Sequence, residues 1–177
     1  MFQKSVITQE MRDLIGVESA PMTHDVEKGA VVKFAEAIGD PNPLFNDEEA
    51  ARKNRYGGLI APPTFLRSMR SGPLDVDVPS PYSAILDAGS EWEHFQPVRV
   101  GDRITVTTTI LSIFERQGRL GEMVFIVMET KYVNQLGVVV AIDIRVILDK
   151  RANTRVNQRL AMAAILASVA GRIIEQL

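Results

Sequence analysis

The second half of this chain changes its hydrophobic period, and that change constrains the fold more than any other feature of the 177 residues. From about residue 84 apolar side chains recur at every second position. In the last run Val138, Val140, Ile142, Ile144, Val146 and Leu148 alternate with Asp143, Arg145 and Asp149, which assigns the two sets to opposite faces of a β-strand. Asn134-Gln135-Leu136-Gly137 turns this run back on residues 123–133, and Gln117-Gly118-Arg119-Leu120-Gly121 turns that one back on residues 103–116. A further strand at about 85–95 completes the set. Turns this short force antiparallel neighbours, because a parallel pair needs a crossover of about a dozen residues or more.

The first half carries helical signals instead. Val31, Phe34, Ala35 and Ile38 fall at i, i+3, i+4 and i+7, one apolar stripe on a short helix. Gly39-Asp40-Pro41-Asn42-Pro43 stops it, since two prolines and their restricted neighbours cannot continue a helix. A second short helix starts at Asp47-Glu48-Glu49, acidic where the helix dipole favours it, and ends at Tyr56-Gly57-Gly58. Pro62 and Pro63 suit a first helical turn, so a central helix is expected over about 62–71, ahead of a proline-rich loop at 72–81. Helices followed by a long antiparallel sheet give an α+β domain, the sheet folded over the central helix. Residues 157–175 read as a C-terminal helix, with Leu160, Ala164, Ala167 and Gly171 near one side and Ile165, Val169 and Ile173 near another. So broad an apolar band docks on a partner or on the chain's own sheet. The expected organisation is one domain over 1–150 and a helical extension over 151–177.

Composition removes several classes of function. Without cysteine there is no disulfide framework, thiol nucleophile or thiolate metal site. The two histidines, His24 and His94, lie too far apart for a local ligand pair, and neither a metal nor a cofactor is expected. A net charge of −2 offers no basic stripe for a phosphate backbone, so nucleic acid is not an expected partner. The first residues, MFQKSVITQEMRDLIG, lack the apolar stretch and cleavage site of a signal peptide. The longest apolar run, 160–170, is too short for a bilayer, which needs about 20 residues. A soluble, cytoplasmic protein with no membrane partner is expected.

The densest cluster of chemistry-bearing residues runs from Phe34 to Phe65, FAEAIGDPNPLFNDEEAARKNRYGGLIAPPTF. This run resembles the MaoC-like (R)-specific enoyl hydratase and 3-hydroxyacyl dehydratase family. That family's pattern is approximately F-A-x-x-x-G-D-x-N-P-x-H-x-D, followed by G-x-x-I-A-x-G opening a central helix. Phe95-Gln96-Pro97-Val98-Arg99-Val100-Gly101-Asp102, ahead of the long strands, is similar too, so the resemblance covers most of residues 20–150. It implies a hotdog fold, in which an antiparallel sheet wraps a central α-helix and two sheets generally join edge to edge in a dimer. The implied substrate is an acyl thioester on coenzyme A or an acyl carrier protein.

The resemblance also implies a mechanism, from which this sequence departs twice. In active relatives an aspartate and a histidine five positions later hold a water between them for addition to an enoyl thioester, or take up water in reverse, as a general acid–base pair. A backbone N–H at the start of the central helix polarises the thioester carbonyl. Asp40 occupies the aspartate position, but Phe45 stands where the histidine belongs and has no proton to exchange. Pro63 replaces the glycine at the helix start, and proline has no N–H. Each loss removes on the order of 10²-fold in rate or more.

The APPTF wording and the aromatic after Pro43-Leu44 look like the FAS1-like, or MaoC-like N-terminal, branch. There a degenerate hotdog pairs with a second one that supplies the dyad. The resemblance assigns Asp40 to a catalytic position, left vestigial without the histidine, and Asn42, Phe45, Ile60, Ala61, Pro63 and Thr64 to the acyl-binding wall. The chain is expected to be a non-catalytic, substrate-shaping subunit of a dehydratase or hydratase, in a homodimer or in a heterodimer with a catalytic hotdog. Two alternatives stay open: a thioesterase using Asp40 as a lone base with the Thr64 amide polarising the carbonyl, or an inactive module that binds acyl thioesters.

Each of these residues also has a plain structural role open to it. Asp40 and Asn42 suit turns, where their side chains bond nearby amides. Phe45 suits a core. His94 alternates with Trp92 on one face of a strand, His24 sits beside Asp25 near the N-terminus, and Arg52-Lys53-Asn54-Arg55 suits a solvated helix face as well as phosphate steering.

Overall fold

The computed structural model describes residues 5–74, 79, 81–82, 84–118 and 121–150. Its frame is an antiparallel sheet of five strands in the order β1-β3-β4-β5-β2. The four long strands are β2 (Ala84–His94), β3 (Arg103–Gly118), β4 (Gly121–Val133) and β5 (Val139–Lys150), each within two residues of where the period-two pattern predicts it. The β4–β5 turn is held by Asn134, whose Oδ1 accepts the amides of Leu136 and Val138, both at 3.0 Å, while Gly137 takes φ +74°, a conformation cheap only for glycine.

The fifth strand, β1 (Met22–Asp25), pairs antiparallel with the start of β3, Met22 opposite Val106 and Asp25 opposite Arg103. Its four residues are too few and too polar to show a period.

The inner face of the sheet holds the main core. Ile104 and Val106 of β3, Tyr132 of β4, and Val140 and Ala141 of β5 pack against Phe65, Leu66 and Met69 of the central segment and against Val26 and Val31. Val31 and Phe34 belong to α2 (Lys28–Ala37), the helix that the apolar stripe predicts, and the Phe34 ring meets Phe65 edge-on at 5.4 Å. Further along the same face, α1 (Gln9–Asp13) buries Met11, with Ile7 and Leu14, on Ile110, Ile113, Val124 and Ile126.

One feature departs from expectation. The central segment is not an α-helix over 62–71 but a 3-10 helix over Pro63–Ser68. The Ser68 hydroxyl donates to the Phe65 carbonyl at 2.6 Å and the Met69 amide to Leu66 at 3.0 Å, so i-to-i+3 bonds close this turn; Met69 is then extended (φ −93°, ψ 125°). Beyond it the inner face opens into a cleft of about 520 Å³ walled partly by Arg67, Arg70, Tyr132 and Arg145.

β5 keeps the two alternating faces that the sequence predicts. Its apolar set faces outward, where Ile144, Val146 and Leu148 cluster with Met123, Phe125 and Val127 of β4, all buried. Asp143 and Asp149 face the inner side and are also buried, at 0% and 1% exposure. Both faces of β4 and β5 are therefore covered. The expected helical extension over 151–177 lies outside the described residues. Among the described residues no helix is long and apolar enough to cross a membrane.

Candidate functional site

The Gly-Asp-Pro-Asn-Pro segment is positioned by the end of α2. Gly39 takes φ +68°, its amide donates to Glu36 O at 3.0 Å and the Asp40 amide donates to Ala35 O at 3.0 Å, the bond pair of a Schellman motif. That motif swings the chain off the helix axis. Asp40 Oδ1 then accepts the Asn42 amide at 3.0 Å, and Asn42 Oδ1 accepts the Leu44 amide at 3.1 Å, capping the single turn α3 (Pro43–Asn46). Proline at the first position of α3 costs nothing, because that N–H has no intrahelical partner.

α3 drives Phe45 inward. The ring is 6% exposed and clusters with Ala35 and Ile60, flanked by Leu44 and Tyr56. The Ile60 amide donates to Leu44 O at 3.0 Å, tying the following loop to the same turn. Between them, α4 (Glu48–Arg52) is capped by Asp47, whose Oδ1 accepts the Glu49 and Ala50 amides at 2.9 and 3.0 Å. Arg52 pairs with Glu48 and Lys53 with Glu49 across one helical turn, as a solvated face predicts.

These elements enclose a cleft of about 320 Å³. Of the residues singled out from the sequence, Asn42, Phe45, Ile60, Ala61 and Pro63 line it. Asp40 and Thr64 are not among its lining residues; Asp40 spends a carboxylate oxygen on the Asn42 turn, and Thr64 sits exposed in the first turn of the 3-10 helix. Leu44, Tyr56, Pro62 and Leu66 complete that side.

The opposite wall is His94, Phe95, Gln96, Pro97 and Val98, the end of β2 and the loop after it. The His94 ring stacks on Trp92 at 5.6 Å with an interplanar angle of 11°, and burial pushes its pKa below the usual histidine value, favouring the neutral imidazole. Alternation of Trp92 and His94 on one strand face gives the stacking. Nothing local in the sequence shows that this face meets Asn42 and Phe45, which lie some fifty residues upstream. Among the described residues no group of three His, Cys, Asp or Glu side chains is placed to hold a metal ion.

The cleft is apolar along most of its wall, with two side-chain amides, Asn42 and Gln96, one phenol and one imidazole, and Pro63 offers it no backbone donor. The sequence model of the FAS1-like, dehydratase domain region matches residues 13–143, from α1 into β5. The chain belongs to that family. A UPF0336 protein of Streptomyces avermitilis is 40% identical over 95 residues, a match that spans 51% of this chain and 63% of the relative, so somewhat less than two thirds of that protein's length is covered. A probable enoyl-CoA hydratase alpha subunit of Thermomonospora curvata is 32% identical over 127 residues, 61% of this chain and 40% of that protein.

Solved structures agree on the architecture. The MaoC-like dehydratase of Rhodospirillum rubrum is 29% identical, with a TM-score of 0.62 over 82% of this chain and 97% of that one. A chain of the C-terminally truncated HadBC (3R-hydroxyacyl-ACP dehydratase) complex of Mycobacterium tuberculosis, at 24% identity, shares the fold with a TM-score of 0.61 over 77% of this chain and 97% of that one. The FAS1-like domain described here thus has the hotdog fold of the MaoC-like hydratases and dehydratases, with the central α-helix shortened to a 3-10 turn.

Proposed function

We propose that this chain is the substrate-shaping, non-catalytic half of an (R)-3-hydroxyacyl thioester dehydratase or enoyl hydratase, working beside a hotdog subunit that carries the Asp–His dyad. The observation that carries this reading is the state of the three family positions. Asp40 is engaged in a backbone turn, Phe45 is buried apolar wall where the family has histidine, and Pro63 stands without an N–H at the start of the central segment. A cleft with these properties binds an acyl chain and offers no acid–base pair to a thioester.

Two further observations support a partner. β2 stands at the edge of the sheet, 11 residues long, with Ile85 65% exposed, Leu86 37% and, just after the strand, Phe95 49%. A long apolar edge is a pairing surface unless something blunts it. Among relatives, the Thermomonospora protein is named as an alpha subunit, and the HadBC structure is a complex of a 3R-hydroxyacyl-ACP dehydratase.

Reconstitution with a dyad-carrying hotdog subunit tests the reading. The mixture is expected to give a one-to-one complex by native mass spectrometry whose chain-length preference responds to this subunit: Leu44→Trp, which narrows the cleft, shifts preference towards shorter acyl chains. A complex whose chain-length profile ignores Leu44→Trp contradicts the substrate-shaping role.

A further inference from the structure

We propose that a second cleft beside the acyl cleft is a phosphate subsite for the carrier arm of the thioester; this rests on reading the apolar cleft as the acyl site. The second cleft measures about 350 Å³, and its charged lining is Lys28, Arg52 and Arg99 with one carboxylate, Glu48. It lies against the acyl cleft through a shared wall. Tyr56 lines both.

The rest of the partition is a two-strand ladder. The Ala61 amide donates to Val98 O at 2.8 Å, Ile60 bridges Arg99, and the Val100 amide donates to Leu59 O at 3.1 Å. Ile60, Ala61 and Val98 line the acyl cleft, whereas Leu59, Arg99 and Val100 line its neighbour. Arg99 is therefore fixed within one residue of the apolar wall by backbone bonds. The Arg99 amide itself donates to Asp102 Oδ2 at 2.7 Å, which stiffens the loop.

The charge pattern selects an anion. Glu48 accepts from Lys28 and, at 2.6 Å, from Arg52, so it holds these two cations side by side, and they in turn hold its carboxyl below the usual range. The Arg99 guanidinium has no carboxylate partner among the described residues. Three cations against one carboxylate is a local excess in a chain whose net charge is −2. An acyl thioester of either carrier has an apolar chain, an uncharged amide-rich arm and then a phosphate. With the chain in the apolar cleft, an arm passing over Tyr56 delivers its phosphate to Arg99, whose planar fork suits phosphate oxygens, and to the Lys28–Arg52 pair. These cations are solvent-exposed, so added salt weakens the contact.

Titration of the full chain with hexanoyl-pantetheine and hexanoyl-4′-phosphopantetheine tests this directly. The phosphorylated probe is expected to bind about tenfold tighter. Arg99→Gln, at an exposed position, is expected to reduce that preference to less than about threefold and to leave hexanoyl-pantetheine affinity and the melting temperature unchanged. Binding of both probes with equal affinity overturns the phosphate subsite and leaves the acyl reading standing; binding of neither overturns both. Hexanoyl-CoA and hexanoyl-acyl carrier protein then separate the sources. Equal losses with Arg99→Gln support the shared pantetheine phosphate, and a loss confined to hexanoyl-CoA assigns the cleft to nucleotide phosphates and overturns the shared-arm assignment.

Discussion

The Asp40 carboxylate accepts the backbone N–H of Asn42 at 3.0 Å, and this bond begins the turn that carries Phe45 into the cleft. Under the proposed function Asp40 works as a turn residue. Asp40→Asn keeps an acceptor oxygen and is expected to change stability by less than about 0.5 kcal/mol, whereas Asp40→Ala leaves the amide unpaired and costs about 1 kcal/mol in urea unfolding. In the complex with a dyad-carrying partner, Asp40→Asn is expected to keep kcat/KM within about twofold, as a turn role implies. A hundredfold loss assigns Asp40 to the reaction.

Phe45 packs with Ala35 and Ile60 at the wall of the cleft. Phe45→Ala is expected to cost about 3–5 kcal/mol, as burial at 6% exposure among Ala35 and Ile60 implies. Phe45→His tests the chemistry instead of the packing. It restores an imidazole five positions after Asp40, yet Pro63 still lacks the N–H that polarises a carbonyl. Crotonyl-CoA hydration by Phe45→His alone is therefore expected to stay at background, and a gain is expected only when Pro63→Gly is added.

The inner face of β5 predicts an unusual pH response. Asp143 is 0% exposed, with Arg145 Nη2 at 3.6 Å from its Oδ2. Burial raises its pKa above the usual carboxylate value; Arg145 and Arg67 offset this in part, and Asp87 adds to it. Tyr132, beside it, is held protonated by the same burial. A folded-state pKa above the unfolded one means that ionising Asp143 costs stability, a cost fully present above the folded pKa and relieved as pH falls through it. Asp143→Asn imitates the protonated form. Its melting temperature is expected to match or exceed that of the unmodified chain by up to a few degrees at pH 8, with the difference vanishing as pH falls towards about 4. A deficit at pH 8 that grows as pH rises contradicts this assignment.

Gly72 marks where the central segment is clamped to the N-terminal region. Its amide donates to Ala20 O at 2.9 Å, and a Cβ built there stands 2.5 Å from that same carbonyl oxygen. Backbone on both sides leaves no flexible neighbour to move. Gly72→Ala is expected to cost about 1–3 kcal/mol in urea unfolding. A neutral substitution shows that this clamp is loose.

The long strands are legible because alternation survives in residues 84–150, and α2 because its stripe buries Val31 and Ala35 and half-buries Phe34, although Ile38, the fourth residue of the stripe, is the C-cap and stands 49% exposed. β1 is not, since Met22 to Asp25 take their place from pairing with β3 and not from any pattern of their own. The length of the central helix was misread for a local reason: Pro62 and Pro63 do open a helical turn, but the Ser68 hydroxyl competes for the Phe65 carbonyl and the chain extends at Met69. The outward apolar face of β5 was legible as a face, yet nothing in the alternation tells which side meets the central segment, and Asp143 and Asp149 turned out inside. At the site, the motif brings Asn42, Phe45, Ile60, Ala61 and Pro63 to one cleft, while the wall of His94 to Val98 arrives through the β2–β5 pairing and the Ala61–Val98 backbone bond, both between residues far apart in sequence.

Crotonyl-CoA hydration by the purified full chain alone, followed by the same assay after adding a hotdog subunit that carries the Asp–His dyad, separates a partner-dependent chain from an autonomous enzyme. The chain alone is predicted to stay at the buffer background, and the mixture to turn over faster than the partner by itself. Robust hydration by the chain alone would overturn the non-catalytic role.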